Sequence, residues 1–484
     1  MNWRSSAAIV AVALSASLSA QSTRSIDQLQ HDIDAILGNP ILQHGFWGVV
    51  IKPVDRDDPW YELNARKLMV PASCLKVVTL AAAAEKLGWD FRYETKVFAA
   101  GTTRAGVLHG DLIVVGSGDP SLDDWDGIAT RLWADWAAQL KAAGISSIDG
   151  RIVGDDNAFE DESIGYGWAW DDLPAGFAAP IGALQFNEGN VQVRLGPGDA
   201  VGDRAIATVS PETGGMTIGN FLVTGPAGSA ANVVRRRLPG STRLELRGSL
   251  PLRGRPYAQN SSVDNPTLYY VRALRAALIA DGIAVSGPAV DIDDVSPMPR
   301  HDGLAPLITY QSDPLSVLAT TMMKLSQNQY AEALLKTIGA GTWEAGRTAV
   351  KTALQNWNID PAGVVLADGS GLSRYNLITP ETMVAVLTHV DRSERLRATY
   401  ESTLPIAGHD GTLELRMKGT AAEGRALVKT GSMNGVRSVA GYVRTADGQM
   451  VAFTIIANNF DNSSAVLNAA TDEIIARLAS YRSR

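Results

Sequence analysis

Cysteine is almost missing. Cys74 is the single one in 484 residues, which excludes an intramolecular disulfide framework and any multi-cysteine zinc or iron–sulfur site. Histidine is scarce as well: six are scattered along the chain with no H-x-x-x-H spacing, so a helical two-histidine metal site has no support. Lysine and arginine form no block, and 43 basic against 51 acidic side chains leave a formal charge of −8. Without a basic footprint for a phosphate backbone, nucleic acid is excluded as a general partner. Beyond the N-terminus no apolar run approaches the roughly 18 residues that a membrane span needs. Repeats of fixed period and low-complexity tracts are absent too.

What remains is a folded chain. Hydrophobic residues make up 45% and charged residues 19% of it, and its length calls for two or three domains. The first twenty residues read as an export signal, with Arg4 followed by the apolar run Ala7 to Leu14, too short to span a bilayer. Small residues Ser17 and Ser19 place cleavage near Ala20, so a soluble, exported, periplasmic protein is expected.

Two flanks and a middle differ in texture. In the first flank, Ile26–Leu37 reads as an amphipathic helix, Gly45–Pro53 as a strand, and Ser73–Leu87 as a helix capped by Gly88. That last helix is apolar nearly all round, which predicts a central, buried position. The middle holds short β-like runs punctuated by Gly, Pro and Asp, the pattern of β-rich material. The last flank returns to long helices, then a strand meander at Ala426–Thr430, Ser438–Arg444 and Val451–Ala457, closed by helix Ser464–Tyr481. A meander finished by a helix needs a helix behind it and a strand beside it, and the first flank supplies both. The expectation is one α/β domain made of 21–97 plus 266–484, an antiparallel sheet flanked by helices. A β-rich insert of one or two smaller domains, 98–265, interrupts it.

Three short motifs carry chemistry. Ser73-Cys74-Leu75-Lys76 sets a hydroxyl and an amine three residues apart on one helical face, where burial lowers a lysine pKa and makes the amine a base. Ser73 also stands at the helix start, where free N–H groups favour developing negative charge. Ser326-Gln327-Asn328 joins two helices, with a hydroxyl and an amide at i and i+2. Lys429-Thr430-Gly431 runs along a strand into Ser432: the lysine offers positive charge, Thr430 and Ser432 offer hydroxyls to a carboxylate, and Gly431 lets substrate approach the strand edge. Singly each is weak, since S-x-x-K is also a capping serine beside a solvent lysine. In this order and these elements, the trio is that of penicillin-binding proteins and serine β-lactamases.

The chain resembles the D-alanyl-D-alanine carboxypeptidase/endopeptidase family of penicillin-binding protein 4 type, peptidase family S13. The likeness spans about residues 45–460. It is carried by Gly110-Asp111-Leu112 to Gly116-Ser117-Gly118-Asp119-Pro120, by the run Asp149 to Asp156, by Trp168 to Asp172 and by Asn187-Glu188. In the last flank it is carried by the run Asp368 to Arg374 (DGSGLSR) and by Gly408 to Leu413 (GHDGTL). Gln327, where many members have Asp, is a departure at the variable position of S-x-N.

The resemblance implies a serine D,D-peptidase acting on peptidoglycan stem peptides and acylated by β-lactams, with neither cofactor nor metal. It makes Ser73 the nucleophile and Lys76 its base. Ser326 with Lys429 would pass a proton to the leaving amine, and Asn328 would bind the peptide carbonyl. Thr430 and Ser432 would hold the terminal carboxylate, Gly431 would let the substrate approach between them, and backbone N–H groups of Ser73 and Ser432 would form the oxyanion hole. Asp368, Ser370 and Arg374 are expected to shape the cleft from behind, and His409 beside Asp410 to serve a loop. A β-lactamase or esterase on the same scaffold, and a non-catalytic cell-wall binding protein, are the competing readings.

Overall fold

Strands covered by helices on both faces are apolar along their whole length, and the C-terminal meander and the N-terminal strand read that way. The computed structural model, which describes residues 25–482, joins them in one antiparallel sheet. Its order is Ala426–Met433, Val436–Arg444, Met450–Asn458, Phe46–Pro53 and Tyr61–Leu63. Phe46–Pro53 pairs along its full length with Met450–Asn458, bringing residues some four hundred positions apart into register. One face packs against Ile26–Leu37 and Ser464–Ser480, the other against Lys76–Leu87 and Pro380–Arg392. Every residue from Lys76 to Ala84 is buried, as the all-round apolar pattern of that helix predicts. The expected α/β architecture, an antiparallel sheet flanked by helices, is what the chain forms. The proposed export signal lies outside the described residues.

The middle of the chain builds three further sheets. The largest has seven strands, Glu94–Arg104, Val107–Gly116, Ser147–Ile148, Ile152–Asp155, Ala284–Val285, Ala289–Asp291 and Ile308–Gln311. Two three-stranded sheets follow: Asn190–Gly196 with Ile206–Ser210 and Tyr257–Ser262, and Thr217–Gly225 with Asn232–Arg236 and Arg243–Pro251. The limits expected at 98 and 265 cut through the seven-stranded sheet, because Ile308–Gln311 pairs with residues 94–97. Short alternating runs name a strand but not the sheet it joins. The β-rich texture also hid a helix. Ile128–Ala142, 15 residues long, buries Trp133, Trp136, Ala137 and Leu140 against Pro266–Ala280 and the sheet. Among the described residues no helix is long and apolar enough to cross a membrane.

Candidate active site

The nucleophile motif does not begin as an α-helix. Ala72–Leu75 is a 3₁₀ turn and the α-helix starts at Lys76. Residues three apart eclipse in a 3₁₀ turn, so Lys76 stands directly over Ser73 and its Nζ comes 3.1 Å from Ser73 Oγ. Ala72, the first residue of the turn, stands at φ +46. Gly371, at φ +86, lies where a Cβ would strike the Ala72 carbonyl, so the DGSGLSR loop packs against this turn by its bare backbone.

Three groups surround Lys76 Nζ: Ser73 Oγ, Asn328 Oδ1 at 2.7 Å and the Ser370 carbonyl at 2.9 Å. Asn328 Nδ2 donates to the Phe177 carbonyl at 2.7 Å, which turns its amide oxygen toward the lysine. Two of the three groups can therefore only accept. A neutral amine has two N–H bonds and one lone pair; with the bonds directed at Asn328 and Ser370, the lone pair faces the Ser73 hydroxyl. Burial, then the charge of Lys429, push the Lys76 pKa well below that of an ordinary lysine, while Glu332 and Asp368 act in the opposite sense.

The Ser370 carbonyl is itself fixed. Glu332, fully buried on the helix that Asn328 begins, accepts from the backbone N–H groups of Gly369 at 2.7 Å and Ser370 at 2.8 Å. Thr79 Oγ1 donates to the Gly369 carbonyl at 2.7 Å. Asp368 accepts from Gly371 N, Ser373 N, Asn376 Nδ2 and the indole of Trp168. Asp368 and Ser370 thus stand behind the cleft, as expected of them. Arg374 lines the cleft and donates to the Asn434 carbonyl at 2.9 Å.

On the facing strand, Lys429 is fully buried and donates to Ser326 Oγ at 2.9 Å and to the Thr430 carbonyl at 2.7 Å. Burial lowers its pKa to about 8. Ser326 adopts φ +62, a costly conformation for a non-glycine residue that points its hydroxyl at the lysine. Thr430 Oγ1 bonds Thr412 Oγ1 at 2.8 Å, and Ser432 is exposed on the cleft. Gly431 departs from its expected reason. A Cβ there would meet Ser438 Oγ, the Pro71 carbonyl at 2.7 Å and Cys74 N at 3.1 Å. Close packing on the nucleophile turn, not room for substrate, is what excludes a side chain. Cys74 is fully buried and its thiol donates to the Lys429 carbonyl at 3.3 Å, so it packs the turn against the strand. Asp410 bonds Lys324 and the Ile406 N–H, so it serves its loop.

The cleft between these elements has a volume of about 410 Å³. Ser73, Ser326, Asn328 and Ser432 line it, and so do residues that the motifs did not single out, among them Phe177, Met433 and Arg437. Phe177 comes from the middle of the chain. Its segment is tied to helix Asn328–Ile338, where Lys336 Nζ donates to the Glu162 carbonyl at 2.7 Å and Gln329 to the Gly176 carbonyl at 3.2 Å. Phe177 is exposed within the apolar run 173–181, and no local sequence signal sets it apart. Elsewhere, Asp156, Asp291 and Asp293 bring carboxylate oxygens within 4.8 Å of one another, a grouping no sequence spacing reveals.

A helix-covered antiparallel sheet, with a serine and two buried lysines converging on one cleft, defines a serine hydrolase of the S-x-x-K class. The chain belongs to the D-Ala-D-Ala carboxypeptidase 3 (S13) family, whose family model matches residues 29–481. It is 37% identical over 475 residues to a D-alanyl-D-alanine carboxypeptidase of Actinomadura sp., covering 94% of this chain and 85% of that protein. To D-alanyl-D-alanine carboxypeptidase DacB of Haemophilus influenzae it is 30% identical over 421 residues, covering 85% of each. The crystal structure of penicillin binding protein 4 (dacB) from Haemophilus influenzae superposes with a TM-score of 0.82 at 28% identity, over 93% of this chain and 99% of that one.

Proposed function

We propose that Ser73 forms an acyl-enzyme with peptides ending in D-Ala-D-Ala, and that this is how the chain acts as a serine D,D-peptidase on peptidoglycan stem peptides. Neutral Lys76 takes the Ser73 proton as Oγ attacks the penultimate carbonyl carbon. Backbone N–H groups of Ser73 and Ser432 face the oxyanion. The C–N bond breaks as Lys429 passes a proton through Ser326 to the departing D-alanine nitrogen. Asn328 orients the peptide, and Thr430 and Ser432, with the Lys429 charge behind them, hold the free carboxylate. Water then cleaves the Ser73 ester.

One observation carries this reading: Lys76 Nζ lies between a hydroxyl and two obligate acceptors, so its lone pair has only the hydroxyl to face. A β-lactam presents the same acyl carbon and carboxylate, and a solved relative is described as complexed with one. Mass spectrometry of the penicillin-treated protein should therefore place the adduct on the peptide containing Ser73. Label on Cys74, or label surviving Ser73→Ala, would overturn the assignment. Turnover of a D-Ala-D-Ala peptide against turnover of penicillin separates a peptidase from a β-lactamase, and neither would leave a wall-binding protein. Export to the periplasm is part of the proposal, supported by the Arg4, Ala7–Leu14 pattern and by stem peptides lying outside the membrane. So is an inserted module interrupting the catalytic one, supported by the pairing of Phe46–Pro53 with Met450–Asn458.

A further inference from the structure

The middle of the chain has a cavity of its own, of about 490 Å³, within the range of small-ligand sites. It lies among helices Ile128–Ala142 and Pro266–Ala280 and strands Asn190–Gly196 and Ile206–Ser210. Part of the wall is aromatic. Trp133 is buried against Phe186, ring centroids 5.0 Å apart, while Trp125 leaves 42% of its surface exposed. The rest is polar in both senses. Arg194 Nε donates to Gln192 Oε1 at 2.9 Å, and among the described residues neither its terminal nitrogens nor the Gln192 amide nitrogen has a protein partner. Thr213 Oγ1, in the same wall, is buried without a partner. Asp124 is already occupied, accepting from Thr130 N at 2.9 Å and Thr130 Oγ1 at 2.8 Å.

A part-exposed indole, a guanidinium, a free amide nitrogen and an orphaned hydroxyl match the chemistry of a pyranose ring. The ring's C–H face stacks on tryptophan, and its hydroxyl and acetamido groups exchange hydrogen bonds with the polar wall. We propose that this cavity binds the amino-sugar backbone of a glycan strand. The choice of glycan rests on the proposed function, since stem peptides hang from such strands.

The cavity is joined to the catalytic loop by strained backbone. Asn187 and Glu188 are consecutive non-glycine residues at φ +51 and +55. The Asn187 amide, in the cavity wall, accepts from Asp124 N at 2.7 Å and donates to Tyr269 Oη at 3.1 Å. Glu188, the next residue, lies beside Gln327 of the S-x-N loop, and its carboxyl pKa is pushed up to about 7 by burial and by Asp123. A glycan held in the cavity is thereby fixed in orientation relative to Ser73, which presents its peptide to the cleft.

The test uses the full chain, free and penicillin-acylated, titrated calorimetrically with the β-1,4-linked tetramer of N-acetylglucosamine, which carries no D-alanine. Saturable binding is expected, with the same affinity in both forms. Loss of aromatic stacking should weaken it about threefold to tenfold in Trp125→Ala, and Arg194→Ala should weaken it as well. Both variants should be acylated by penicillin at the wild-type rate, because neither residue lines the cleft. Absence of saturable binding to wild-type protein overturns the proposal, as does binding unchanged in both variants. Binding abolished by acylation overturns it too, because it puts the saccharide in the cleft. Saccharide binding without D-Ala-D-Ala turnover would leave the cavity standing and remove the peptidase.

Discussion

Lys76, beside the five-stranded sheet, and Arg237, in the middle of the chain, are both buried basic side chains, at 0% and 4% exposure. Arg237 is held by acceptors from three residues: its terminal nitrogens donate to the Leu173 carbonyl at 3.1 Å, Ser262 Oγ at 2.7 Å and Asp264 Oδ1 at 3.0 Å. A guanidinium cannot give up its proton at ordinary pH and offers donors in a rigid fork, which suits a clamp between chain segments. Lys76 also has two fixed acceptors, but its third neighbour is a reactive hydroxyl, and an amine can be made neutral by burial. The same cost, removal of a cation from water, yields architecture in one region and a base in the other.

If that contrast holds, the largest effect is chemical. Lys76→Ala should slow acylation by penicillin and by peptide by ~10²–10⁴-fold or more, as general-base losses do when base and nucleophile act as a unit. Lys76→Arg should fare no better, because a guanidinium stays protonated. A stopped-flow acylation rate near wild type in either variant would remove the base assignment. Arg237→Met should do the reverse. It removes the donor to Asp264, to Ser262 Oγ and to the Leu173 carbonyl, a loss of about 3–5 kcal/mol of stability by chemical denaturation. Acylation per folded molecule should fall by less than about tenfold, which is under about 1.4 kcal/mol. An Arg237 variant as stable as wild type but unable to acylate would erase the distinction.

Lys429 lies between these extremes, since it is buried yet turned toward substrate. Lys429→Ala should slow acylation more for a peptide with a free terminal carboxylate than for its amide, which has already lost that contact. The pH dependence follows the same logic. With its pKa lowered to about 8, the amine loses its charge as pH rises through about 8. Acylation by the free acid should therefore decline on the alkaline side near that pH, with a weaker decline for the amide. Parallel profiles for acid and amide would refute the carboxylate role. The smallest effect is expected at the seam between the regions. Trp168→Phe removes one of four donors to Asp368, and should cost about 1 kcal/mol in stability with a modest loss of rate. A loss as large as that of Lys76→Ala would make the inserted region part of the catalytic machinery.

The catalytic half was legible because its signals are local and strong. Ile26–Leu37 and the closing meander follow from periodicity, and Ser73, Lys76, Ser326, Asn328 and Lys429 follow from three short motifs; the structure brings all five around one cleft. The inserted half was harder. Its strands are short, so alternation identified them without naming their partners, and helix Ile128–Ala142 passed unnoticed among Gly- and Asp-rich turns. Phe177 could not be found at all, because its place in the cleft depends on a loop held by Lys336, Asn328 and Gln329 from one helix distant in sequence.

Sequence alone determined the residue types and their spacing: a serine and lysine one turn apart, a loop serine and amide, a strand lysine, and apolar runs long enough to bury them. Tertiary structure decided what those groups became. The 3₁₀ turn at Ala72–Leu75 sets Lys76 over Ser73, the Phe177 carbonyl turns the Asn328 amide, and Asp368 holds the N–H of the peptide whose carbonyl meets Lys76. None of these is encoded within a few residues of the lysine. A side chain's pKa and hydrogen-bonding partners depend on everything within a few ångströms, and folding gathers those neighbours from across the whole chain.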